Sequence, residues 1–133
     1  MNDNETIYQS ITFAEQIMQI CENEDIKNSS DFTFCTFVEQ TIYYKLKNNR
    51  LYVPDERIAY SICFGLKLSF SESCYLLRLA GLSIMPRTAY DKYREMLCKM
   101  LISGNTYIPD CNIKLQKYGF PELGSKCKKI LNN

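Results

Sequence analysis

The chain has 133 residues, of which 46% are apolar and 23% charged, with sixteen Lys plus Arg against fifteen Asp plus Glu. That length suits one domain, and the composition is globular rather than disordered. A net charge of +1 excludes a polybasic mode of nucleic-acid binding but leaves room for a local basic face.

Histidine is absent, which removes the commonest general base and the commonest neutral zinc ligand. The seven cysteines lie at least eleven residues apart, with no C-x-x-C pair. They read as buried thiols of a reducing compartment, with no metal and no cofactor expected. Residues 1–10 are acidic and lack the layout of a signal peptide. The most apolar later stretch, 74–85, is only twelve residues long and contains Arg78, too short to span a bilayer. The expected setting is the cytoplasm, without membrane contact.

Chain punctuation predicts an all-α fold of about seven helices. Ile7, Ile11, Ala14, Ile17 and Cys21 form one apolar stripe, predicting a helix over residues 5–22. After a polar break, Ser29 or Ser30 is the expected cap of a short second helix. Pro54 suits the first turn of a further helix, with Asp55 and Glu56 favouring its positive end and Ile58, Ala59, Ile62, Cys63 and Leu66 its buried face. Ser69 and Glu72 spell a capping box for a helix carrying Cys74, Leu76, Leu77 and Ala80, with Gly81 as a left-handed stop. Pro86 precedes an amphipathic run of Tyr90, Tyr93, Met96, Leu97, Met100 and Leu101 that ends near Gly104. Pro109 and Asp110 open a last helix with Ile113, Leu115 and Tyr118, stopped at Gly119. A shift of 38 residues lays Phe70 on Ile108, Glu72 on Asp110, Leu77 on Leu115 and Gly81 on Gly119, as in two helical hairpins of like design.

The informative stretch is 29–50, SSDFTFCTFVEQTIYYKLKNNR. Two short helices locked at a steep angle need an apolar anchor and a small neighbour on the first, a plug at the turn, and two inner residues on the second. Phe32, Thr33, Val38, Tyr43 and Leu46 meet those demands at the right intervals. Glu39, Gln40, Thr41, Tyr44, Lys45 and Asn48 then point outward by subtraction. Gln and Asn can pair with adenine in the major groove, and Thr can touch a thymine methyl. Lys45, Lys47 and Arg50 can hold phosphates. Residues 36–50 carry three positive charges and one negative, a basic face on a near-neutral chain.

With TIYYKLKNN followed by VPDERIAYSICFGLKLSFSESCYLLRLAG, residues 29–82 resemble the lambda repressor-like (phage-repressor-type) helix-turn-helix family. The elements that carry the likeness are the aromatic pair before KLKN, the Pro-initiated helix, and the GL-x-LS step into a leucine-rich helix stopped at Gly81. YGFPELG is similar to a C-terminal helical hairpin extension of some members. The resemblance implies that Gln40, Thr41, Tyr44, Lys45 and Asn48 face the groove.

The expected organisation is a helix-turn-helix core with an acidic N-terminal helix over 1–85, a packed hairpin over 86–124 and a basic tail over 125–133, all one compact domain. Lys126, Lys128 and Lys129 make the tail basic, whereas residues 1–31 hold seven acids and one lysine. No enzyme is expected: the acids fall at helix N-termini, the glycines form no phosphate-cradling loop, and no Ser or Cys has a histidine to activate it. The expected function is sequence-specific binding of double-stranded DNA by a bacterial or phage transcriptional regulator. Its helix 39–47 would lie in the major groove, in a homodimer that reads two half-sites through the 86–120 hairpin. The acidic leading segment, with Asp31 and Glu39, fits an alternative class: a protein-interaction module that keeps the fold and binds a protein partner.

Overall fold

Seven α-helices account for the regular structure of residues 11–125, the part of the chain that the computed structural model describes, and no strand occurs among them. They are α1 (Phe13–Asn23), α2 (Ser29–Thr36), α3 (Gln40–Asn48), α4 (Glu56–Gly65), α5 (Phe70–Leu79), α6 (Lys92–Ser103) and α7 (Ile108–Lys117). The expected tail lysines and the first ten residues lie outside the described residues. Among the described residues, no helix is long and apolar enough to cross a membrane.

Local chemistry explains most helix boundaries and corrects four expected ones. α1 does not run continuously from residue 5, because Thr12 is extended and caps it: Glu15 N–H donates to Thr12 Oγ1, and Thr12 N–H to Glu15 Oε1. This is a capping box, which starts the helix at Phe13. α2 is capped by Asn28 rather than Ser29 or Ser30, with Asn28 Oδ1 accepting from Asp31 N–H at 2.9 Å. α4 is capped by Asp55, whose carboxylate accepts from Ile58 N–H, so Pro54 precedes the helix instead of opening it. The Ser69–Glu72 box that opens α5 forms as its sequence dictates. Tyr90 falls before α6, which Asp91 caps, and it is exposed rather than part of the buried face.

The helices share one core. α1 packs on α3 and α5, and α2 packs on α3 and α4. α6 lies against α5 and α7 against α4, so each C-terminal helix is docked on an earlier one. The 38-residue shift matches the boundaries of α5 and α7, two ten-residue helices followed by Gly81 (φ 72°) and Gly119 (φ 74°). The largest fully buried side chains include Tyr60, Phe13, Phe32, Phe64 and Ile17. Cys21, Cys63, Cys98 and Cys111 are buried thiols, and burial pushes Cys63 up to about 12 and Cys21 and Cys111 up to about 11. At neutral pH they are protonated apolar side chains and poor nucleophiles.

A buried ion cluster ties α6 to α4. Arg94, whose side chain is 10% exposed, donates from Nη2 to Glu56 Oε1 at 2.7 Å, from Nη1 to Asp91 Oδ2 at 3.0 Å and from Nε to the Tyr60 hydroxyl at 3.0 Å. Burial alone would lower the pKa of the guanidinium; its bonds to Tyr60, Glu56 and Asp91 outweigh burial and raise it. The Tyr60 hydroxyl in turn donates to Ser83 C=O at 2.7 Å, fastening the loop between α5 and α6.

Candidate nucleic-acid interface

α2 and α3 are joined by only three residues, 37–39. Phe32, Val38, Tyr43 and Leu46 are buried, as their spacing demands, and Phe32 and Tyr43 pack ring on ring at 5.5 Å. The small neighbour is needed for its hydroxyl as well as its size: Thr33 Oγ1 donates to Val38 C=O at 2.6 Å. Thr36 Oγ1 donates to Phe32 C=O and accepts from Val38 N–H. These buried bonds satisfy the backbone groups that the turn leaves without helical partners.

Phe37 makes the turn in the left-handed region, at φ 59° and ψ 27°, where a Cβ costs about 1–2 kcal/mol. Its half-buried ring packs against the core in compensation. Phe37→Ala loses the ring and keeps the strain, whereas Phe37→Gly loses both. The glycine variant is therefore expected to be the more stable of the two by about 1 kcal/mol in urea denaturation.

α3 presents the expected outer edge. Gln40, Tyr44 and Lys47 form one row at i, i+4 and i+7, and Thr41, Lys45 and Asn48 form the next; all six are exposed. Ser29, buried at the start of α2, reaches the first row, with Oγ 3.2 Å from Gln40 Oε1 and 3.2 Å from the Tyr44 hydroxyl oxygen. The contact to Gln40 leaves that oxygen a second lone pair and leaves both amide hydrogens for another partner. Lys45 Nζ sits 5.7 Å from the centre of the Tyr52 ring. Among the described residues no carboxylate pairs with Lys45 or Lys47.

Two charged residues behave differently from the expected edge. Arg50 is exposed, and its Nε donates to Glu15 Oε2 at 2.9 Å in an exposed ion pair with the α1 cap, a bond that uses one of the five guanidinium N–H groups. The Arg50 bond holds the Glu15 carboxyl below its ordinary value. Asp31 folds back over the start of α2, its Oδ2 accepting from Lys27 N–H at 3.3 Å, which gives this acid a capping role. Glu15 of α1 thus meets the end of α3 at Arg50, and the Gln40–Tyr44–Lys47 and Thr41–Lys45–Asn48 rows are exposed.

Sequence reasoning missed a strap that closes the site from behind. After Gly119 the chain turns back and residues 122–125 run along α4 to the α2–α3 turn. Leu123 N–H donates to Asn112 Oδ1 at 2.7 Å and Leu123 C=O accepts from Asn112 Nδ2 at 3.0 Å. Gly124 N–H donates to Ser61 Oγ at 2.6 Å, and Arg57 Nη1 donates to Gly124 C=O at 2.6 Å. Ser125 N–H then donates to Phe37 C=O at 2.7 Å, and Ser125 Oγ accepts from Glu39 N–H at 2.8 Å. Gly124 has φ 91°, and a Cβ there would come within 3.0 Å of Phe37. Ser125 thus belongs to the strap rather than to the following basic residues. The only sequence signal was ELGS after a proline, with nothing to name the turn it serves. Compared with known proteins, the chain matches no family model, no curated protein and no solved structure.

Proposed function

We propose that the chain is a sequence-specific double-stranded DNA-binding protein, a cytoplasmic transcriptional regulator of the lambda repressor-like kind, with α3 entering the major groove. The observation that carries this reading is the Ser29–Gln40–Tyr44 tie, which orients an exposed amide beside the Thr41–Lys45–Asn48 row. An oriented amide loses less entropy on pairing with a base edge than a freely rotating one. Lys45 and Lys47 supply phosphate contacts, and Asn48 offers a second amide. One short helix reads few base pairs, so a homodimer over two half-sites is part of the proposal. Its contact face is the α6–α7 pair, where Ile102, Tyr107 and Ile113 are exposed.

Titration with random-sequence duplex at rising salt tests the reading. Binding should weaken steeply as counterions are recaptured, and Lys45→Glu with Lys47→Glu should lower the slope of log K against log salt by about 1.8. Selection from an oligonucleotide pool should return a palindromic site, and light scattering should give twice the chain mass. No binding at 50 mM salt, or a double variant that binds like the wild type, removes the proposal.

One observation favours a second reading, a protein-interaction module on the same fold. Phe34 is 74% exposed on α2 and Leu51 68% exposed just after α3, and a large apolar side chain of that kind serves a protein partner better than a phosphate backbone.

A further inference from the structure

We infer that Ser29 fixes which end of the Gln40 amide meets the major groove, so that Gln40 offers hydrogen-bond donors there and reads guanine. The inference rests on the DNA-binding reading and deepens it by naming the base that one side chain selects.

A single hydrogen decides the matter. Ser29 is 5% exposed at the start of α2, and its Oγ lies 3.2 Å from Gln40 Oε1. A carboxamide oxygen has no hydrogen, so the Ser29 hydroxyl supplies the one between them. The Tyr44 hydroxyl oxygen stands at the same 3.2 Å from Ser29 Oγ, but the phenol carries a hydrogen of its own and does not depend on the serine's. Gln40 Oε1 is thus held toward α2. The amide oxygen and nitrogen diverge from one carbon, so Nε2 is the end left to meet a base. Among the described residues Nε2 has no hydrogen-bond partner, and Gln40 itself is exposed.

The four base edges respond differently to a donor. In the major groove guanine shows two acceptors, N7 and O6, whereas adenine shows the N7 acceptor beside the N6 amino donor. Thymine shows the O4 acceptor beside its methyl group, and cytosine the N4 amino donor. An untethered glutamine suits adenine, because its oxygen accepts from N6 while its nitrogen donates to N7. With the oxygen bonded to Ser29, that pairing is broken and Nε2 meets N6 donor to donor. Against guanine, Nε2 lies between N7 and O6 and finds an acceptor on either side. Ser29 is therefore a positioning residue: buried behind Gln40, it touches no base and acts through the amide. Lys45 and Lys47, as phosphate ligands, carry no part of the choice.

Selection of the full chain on a random duplex pool supplies the site, and the same selection with Gln40→Ala marks the position that Gln40 reads, the one where preference disappears. Affinities for duplexes carrying each base at that position are then compared. The wild type is expected to bind guanine about tenfold tighter than adenine, within what one base contact supplies. Ser29→Ala frees the amide to turn over, and the guanine-to-adenine ratio should fall to about one or below, with affinity for random duplex unchanged. Gln40→Lys offers donors only and should keep the guanine preference. A wild-type preference for any other base at that position overturns the inference. So does a ratio that Ser29→Ala leaves unchanged, a Gln40→Lys variant that loses guanine, or a Gln40→Ala variant that selects the wild-type site. In each of these cases the α3 reading stands, provided Lys45→Glu with Lys47→Glu still weakens binding. Absence of any duplex binding by the wild type overturns both readings together.

Discussion

Arg94→Met is expected to lower the unfolding free energy by about 3 kcal/mol, read as a shift of the denaturant midpoint. The side chain is 10% exposed and serves Glu56, Asp91 and Tyr60 at once. Methionine fills much of the same volume, so packing changes little; what changes is that carboxylates of α4 and α6 lose their shared cation. Removing one partner of a buried pair costs about 3–5 kcal/mol. The lower end applies because Glu56 is 39% exposed and water can solvate it. Asp91 is 13% exposed and bears more of the penalty. Arg94→Lys should recover only part of the loss, since an ammonium cannot span three acceptors as the guanidinium fork does. The pH dependence follows from Asp91, whose carboxyl is held below its ordinary range by the Arg87 N–H first, with burial opposing and the bonds from Arg94 reinforcing it. A depressed carboxyl contributes stability that is complete above its unfolded pKa and is lost as pH falls through the folded one. Wild type should therefore lose stability on acidification below about pH 4 faster than Arg94→Met, and the gap between them should narrow. A gap that widens on acidification contradicts this account.

How much of this was legible in the sequence depends on the range of the interaction. Capping boxes, Gly stops and apolar periodicity act within four residues of themselves, and α5, α6 and α7 follow from them closely. The bihelical unit was legible for the same reason: Phe32, Thr33, Val38, Tyr43 and Leu46 span fifteen residues and constrain one another. Thr12–Glu15 was legible in principle, since it has the same S/T-x-x-E form as Ser69–Glu72, but the apolar stripe through Ile7 and Ile11 outweighed it. The outward rows of α3 followed by subtraction from its buried face. What was not legible is chemistry that joins distant segments. Glu56 reads as a dipole-compensating acid at a helix start until Arg94, 38 residues later, is placed against it. Nothing in the sequence around Arg50 announces that Glu15, 35 residues earlier, stands beside it. Ser61, Asn112 and Arg57 carry no motif at all, because a strap bond needs only one donor or acceptor facing a backbone group. Their importance comes from the fold that brings residue 125 to residue 37.

Gly65→Ala is expected to destabilise the protein by about 2 kcal/mol and to disturb the α2–α3 unit along with it. Local propensity argues the opposite: alanine in a helix is favoured over glycine by about 1 kcal/mol. Tertiary geometry decides the sign. A Cβ on Gly65 would stand 2.4 Å from Thr36 Cα, 2.7 Å from Cys35 C=O and 2.8 Å from Thr36 Cγ2. Two of these are backbone atoms at the end of α2 and cannot swing aside, so α2 and α4 must separate. Overpacking of this kind costs up to about 3 kcal/mol, which exceeds the propensity gain. Thr36 is also the residue whose hydroxyl holds Val38 N–H in the turn, so the displacement passes directly to the start of α3. Duplex affinity should fall with stability in this variant, as it would not for a purely local defect. Gly81→Ala provides the control. That glycine has φ 72° and no atom within 4 Å of an added Cβ, so it incurs only the left-handed backbone cost of about 1 kcal/mol. It leaves α2 and α3 where they are. If the two variants lose equal stability and bind duplex equally, the α2–α4 close approach does not position the turn.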